Sequence, residues 1–79
     1  MDEVESKIID IIAKTLNIDR TKITPQSRVV ADLGADSLAQ VEIVMAIDEA
    51  FGIETSDAES SKIVTIADAV ALVKEKTSL

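Results

Sequence analysis

The sequence predicts an all-α fold: a small bundle of three main helices plus one short helix, with a long connector between helices one and two. Three observations carry this. Apolar residues recur at three- to four-residue spacing in three separate segments. Two Gly and one Pro in 79 residues supply too few turns for a many-stranded sheet. The length suits a single domain, residues 1–79, with one modest core. That core must be aliphatic, because hydrophobic residues make up 47% of the chain and Phe51 is the one aromatic.

The first helix is placed at about residues 3–16. Val4, Ile8, Ile11, Ile12 and Leu16 fall on one face of a 3.6-residue repeat. Asp2, Glu3 and Glu5 at its start and Lys14 near its end suit the helix dipole, and Asn17 is a candidate C-terminal cap. Residues 17–36 form the connector, interrupted by Pro25, with a short helical turn expected at 20–23. Ile18, Ile23, Val29, Val30 and Leu33 are too many apolar residues for a free loop and are expected to pin it across the helices.

The second helix runs from Ser37 to Phe51, opening on Ser37-x-x-Gln40, a capping-box pattern, and ending at Gly52. At 100° per residue, Ile43, Val44, Ile47, Ala50 and Phe51 share the core side. Leu38, Val41 and Met45 fall opposite, edged by Glu42, Asp48 and Glu49. This helix therefore has two apolar stripes, and the carboxylate-edged one does not belong in a core. A short third helix is expected at about 57–63 with Asp57 as its cap. Thr65-Ile66-Ala67-Asp68 resembles a capping box and opens the fourth helix, about 66–76, with Ile66, Ala69, Val70 and Val73 buried.

Charge and composition exclude whole function classes. The net charge of −7 is concentrated: residues 32–61 carry eight acids and no Lys or Arg, while the rest of the chain sums to +1. Such a segment repels nucleic acid and anionic membrane and attracts basic protein surfaces. With no Cys and no His there is no disulfide, thiolate or Ser-His chemistry, and no pair of carboxylates is arranged for catalysis, so an enzyme is not expected. The calcium-loop template fails from Asp32, since its third and twelfth positions are Gly34 and Ile43. No metal site is predicted beyond weak divalent binding to crowded carboxylates. The acidic start is the reverse of a targeting peptide, and a soluble, monomeric, cytoplasmic protein without membrane insertion is expected.

Ser37 alone is first an ordinary helix cap. Its surroundings add weight: Gly34 and Ala35 leave little bulk around the hydroxyl, a helix start accommodates a phosphoryl group, and an acidic, apolar-striped helix follows. Asp32-Leu-Gly-Ala-Asp-Ser-Leu38, followed by Val41-Glu-Ile-Val-Met-Ala-Ile-Asp-Glu-Ala-Phe51, closely resembles the acyl carrier proteins of dissociated fatty-acid synthesis, over essentially the full length.

The resemblance implies that Ser37 carries 4′-phosphopantetheine, installed from coenzyme A by a phosphopantetheinyl transferase with Mg²⁺. The arm's thiol would hold acyl groups as thioesters, and Asp36 matches the motif acid that helps position the transferase's metal. Leu38, Val41 and Met45 would enter apolar depressions on basic-surfaced fatty-acid synthesis enzymes (acyltransferase, ketosynthase, reductases, dehydratase). Glu42, Asp48 and Glu49 would meet the Lys and Arg around them. Ile43, Ile47, Ile63 and Ala69 are the candidate lining of an acyl pocket. The chain departs from the family pattern at Thr55-Ser56-Asp57, where Ile-Pro-Asp is usual, at Ser60, and at Ala39, where an acid is frequent. Two alternatives stay open: a specialised carrier for a polyketide, short-acyl or aminoacyl pathway, and an unmodified acidic adaptor.

Overall fold

A computed structural model describes residues 2–77. Helix α1 spans Glu3–Leu16, α2 Ser37–Phe51, α3 Asp57–Ser60 and α4 Ile66–Thr77, with a single 3₁₀ turn at Arg20–Lys22 in the connector. The three long helices fall within one residue of their expected bounds.

Helix α1 is the central element, packing against both α2 and α4, which touch each other far less. Asp2 caps its start, accepting a hydrogen bond from the Glu5 N–H at 2.8 Å, and Asn17 closes it in the left-handed conformation (φ 55°). Ile8, Ile9 and Ile12 are completely buried, whereas Ile11 is only half-buried. The buried stripe is thus rotated from the expected one, in a helix that packs against two neighbours.

The connector is zipped to the start of α4. Ser27 and Pro25 carbonyls accept from the Ile66 and Ala67 N–H groups at 3.1 and 2.9 Å, and the Val29 N–H donates to the Val64 carbonyl at 2.9 Å. Arg28 and Thr65 form an isolated antiparallel bridge. Two of the N–H groups that any helix start leaves without an intrahelical partner are thereby satisfied by backbone some forty residues earlier. Thr65 and Asp68 complete the cap as expected: the Thr65 hydroxyl accepts from the Asp68 N–H (3.2 Å), and the Asp68 carboxylate accepts from the Thr65 and Val64 N–H groups (3.0 Å each). Ile23 and Val29 are buried as pins of the connector, joined by Ala35, while Ile18 and Leu33 pack at the core's edge. Val30 does not pin it: the residue is 52% exposed, because the hydrogen bond of Val29 to Val64 turns its neighbour outward.

Helix α3 is shorter than expected, a single turn ending at Ser60, and its cap is Ser56 rather than Asp57. Ser56 and Glu59 form a reciprocal capping box, with the Ser56 N–H donating to the Glu59 carboxylate at 2.9 Å and the Glu59 N–H to the Ser56 hydroxyl at 3.1 Å. Lys76 of α4 fastens this turn, reaching the Glu59 carboxylate (2.9 Å) and the Glu54 carbonyl (2.7 Å). Those contacts pull the Glu59 carboxyl down to about 2, the Ser56 N–H contributing most and the Lys76 ammonium next. Lys74, in the same last turn of α4, pairs with Asp2 and lowers the carboxyl of that cap as well.

Candidate functional site

The path into α2 is a braced loop. Arg28 grips Asp32 through its backbone N–H (2.8 Å), Nε (3.2 Å) and Nη2 (3.1 Å), holding the Asp32 carboxyl below its ordinary range. The Gly34 and Ala35 N–H groups return to the Val30 and Val29 carbonyls. Gly34 makes the reversal with φ 75°, a conformation that glycine adopts without the strain a side chain would bring. Nothing lies within 4 Å of where its Cβ would be, so the space beside the loop is open.

Helix α2 begins at Ser37 as expected, but its cap lies one residue before the one the capping-box pattern suggests. Its cap is Asp36, whose carboxylate accepts from the Ala39 N–H at 2.8 Å, and Ser37 is the first helical residue. The predicted Ser37–Gln40 capping box does not form; the Gln40 amide donates instead to the Asp36 carbonyl at 3.4 Å. Asp and Ser are near-equal capping residues, and adjacent in sequence they compete for the same position. The outcome leaves the Ser37 hydroxyl exposed and without a hydrogen bond to any described residue. A free hydroxyl on the first turn, beside open space, fits a phosphodiester linkage.

The outward stripe of α2 is as expected: Leu38, Val41 and Met45 are 67%, 56% and 64% exposed. Glu42 and Glu49 are exposed beside them. Asp48 is placed differently. It is half-buried, and its carboxylate accepts from the Thr55 N–H (3.0 Å) and hydroxyl (2.6 Å), anchoring the segment between α2 and α3. On the inner side Ile43 and Ile47 are buried and Val44 is half-buried, but Ala50 is exposed. Phe51 is half-buried, with the Lys7 ammonium 5.6 Å from its ring centre.

A cavity opens where α2 and α4 fail to meet. All four expected pocket residues, Ile43, Ile47, Ile63 and Ala69, line it. Ile12, Val29 and Val44 extend its apolar wall, and Gln40 and Ser60 are its polar members. Its free space is about 20 Å³, room for roughly one water molecule, so helices or side chains must give way before any chain of several methylenes can enter.

Residues 6–73 match the family described as "Phosphopantetheine attachment site". The chain is 44% identical over 77 residues to proteins named "Acyl carrier protein" from Rickettsia canadensis, Rickettsia conorii and Rickettsia prowazekii, covering 98% of this chain and 90% of each relative. This chain belongs to the acyl carrier protein family. Its cofactor is covalently attached phosphopantetheine, carried on a small all-α domain. Among the described residues of the carrier, no helix is long and apolar enough to cross a membrane.

Two features of the carrier's surface escape periodicity. Val30 and Val64 stand exposed where the connector meets the start of α4. They lie in loops, where no repeat assigns faces. Of the polar members of the cavity, Ser60 stood out as a departure from the family pattern, whereas Gln40 read only as part of a capping box.

Proposed function

We propose that Ser37 is the attachment residue for 4′-phosphopantetheine and that the carrier shuttles acyl thioesters between enzymes of fatty-acid synthesis. The observation that carries this is the division of labour at the start of α2: Asp36 satisfies the helix N-terminus, so the Ser37 hydroxyl is exposed and uncommitted. When bound, the arm supplies a terminal thiol that holds acyl groups as thioesters. The protein's own residues present, recognise and shelter. Asp36 orients the first turn for the phosphopantetheinyl transferase and offers its second carboxylate oxygen to the transferase's metal.

Leu38, Val41 and Met45 form the apolar centre of the docking face, and Glu42 and Glu49 its acidic rim. Rim charges speed encounter and fix orientation, which suits a carrier that must leave each partner. Asp48 belongs to this face only in part, because Thr55 already occupies its carboxylate. Ile43, Ile47, Ile63 and Ala69 line the shelter for the acyl chain. We assign the carrier to the cytoplasm, as a monomer.

The test is intact mass after incubation with coenzyme A, Mg²⁺ and a broad-range phosphopantetheinyl transferase. The protein gains one phosphopantetheine group and Ser37→Ala gains none. No gain in the parent chain leaves only an unmodified adaptor. A second reading, a carrier for short or modified acyl groups, is favoured by the small cavity and by Ser60 in its wall.

A further inference from the structure

The loop from Arg28 to Ala35 is packed at its ends and open in its middle. Val29 and Ala35 are buried, Leu33 packs at the core's edge, and Val30, Ala31 and Asp32 are exposed. Backbone bonds close the turn, the Asp32 and Leu33 N–H groups both donating to the Arg28 carbonyl at 2.9 and 3.1 Å. Across the exposed stretch, the side-chain tie among the described residues is Arg28 to Asp32. The guanidinium meets both carboxylate oxygens, Nε on one at 3.2 Å and Nη2 on the other at 3.1 Å, while the Arg28 N–H donates to the first at 2.8 Å. That two-pronged geometry is one that Lys cannot reproduce. No other Lys or Arg lies between residues 29 and 61, so no cation nearby in sequence stands ready to replace it.

The loop runs directly into the Asp36 cap and Ser37, the first residue of α2. We propose that Arg28 is a positioning residue for the loading of Ser37: acting through Asp32, it holds this loop in the shape that a phosphopantetheinyl transferase binds. The inference rests on Ser37 being the attachment residue. A loop that samples other shapes binds with an affinity reduced by the fraction in the competent one, while chemistry in the bound complex is unchanged. The effect therefore belongs in KM for the carrier and not in kcat. An exposed ion pair shifts such an equilibrium by about fivefold at most. The opposite arrangement predicts the opposite sign. Were Asp32 itself read by a basic transferase surface, the guanidinium would cover it, and removing Arg28 would speed loading.

The test measures loading from coenzyme A by a broad-range phosphopantetheinyl transferase with Mg²⁺, followed by intact mass and resolved into kcat and KM for the carrier. Arg28→Gln and Asp32→Asn should each raise KM about two- to fivefold with kcat unchanged. The double variant should be no worse than either single one, because both remove the same tie. Arg28→Lys, which keeps the charge and loses the fork, should recover part of the loss. Thermal melting establishes that every variant is folded at the assay temperature. A merely structural role would lower the melting temperature and leave KM alone. Loading of Arg28→Gln at the parent's KM or below it overturns the assignment of Arg28, as do effects of the two substitutions that multiply in the double variant. In both cases the parent still gains its mass and the attachment reading stands. A parent chain that gains no mass overturns the attachment reading, and this inference with it.

Discussion

Asp36 is asked to do two things, and two substitutions separate them. Its carboxylate accepts the Ala39 N–H at 2.8 Å and sits at the positive end of α2. Losing an N-cap to Ala costs about 1 kcal/mol, and losing the charge at the helix start a further 0.3–1 kcal/mol or so. For a domain of this size each kcal/mol moves the melting temperature by about 4–8 °C. Asp36→Ala should therefore melt roughly 5–16 °C lower, whereas Asp36→Asn, which keeps the accepting oxygen, should lose roughly 1–8 °C. Loading by the transferase at 25 °C, where all three proteins are folded, reads the second role. With the charge required at the metal, Asp36→Asn loads about tenfold slower or worse despite its intact cap, a difference of 1.4 kcal/mol in the barrier. Wild-type loading by Asp36→Asn would refute the metal-directed role and leave Asp36 as a cap only. An unchanged melting temperature for Asp36→Ala would refute the capping geometry itself.

Ile9→Ala removes a completely buried side chain from the helix that both neighbours grip, and at about 2–5 kcal/mol should be among the most destabilising single changes, read by urea denaturation. The folded-state Glu59 carboxyl lies near 2, below its ordinary 4.5, so its contribution to stability is complete above about pH 4.5 and is lost as the pH falls towards 2. Lys76→Met should flatten part of that decline between pH 4.5 and 2, measured as urea midpoints across the range. Reversing Glu42 and Glu49 to Lys should slow acyl transfer to several partner enzymes by about tenfold at low salt, with the gap narrowing as salt rises and the melting temperature unchanged. Unaltered transfer kinetics would remove the acidic rim from the docking face.

The long helices were legible because their apolar repeats are strong and their ends carry familiar caps. Asn17 and Gly52 both adopt the left-handed conformation that their positions predicted. What periodicity could not resolve is how far round a helix its neighbours reach. Ile9 is buried outside the expected stripe of a helix that packs against two neighbours, and Ala50 is exposed although Phe51 beside it packs on the core. Caps were legible only to the residue. Asp36 and Ser37, or Ser56 and Asp57, are adjacent residues of similar capping strength, and the backbone picked the earlier one each time. The outward stripe followed from the face assignment of α2, whereas the cavity lining, which draws Ile63 and Ala69 from beyond that helix, came only from the resemblance. Asp48 did not, since its partner Thr55 lies across a loop.

The seam between Pro25–Val29 and Val64–Ala67 sets an order of events during synthesis. A ribosome-bound chain that has exposed only α1 and α2 presents a connector with no edge to pair with and an isoleucine face with no lid. Closure waits until residues near Ala67 have cleared the exit tunnel. The seryl hydroxyl is therefore extruded well before the surface around it takes its final shape, and a loading enzyme that reads that surface must act on the finished chain.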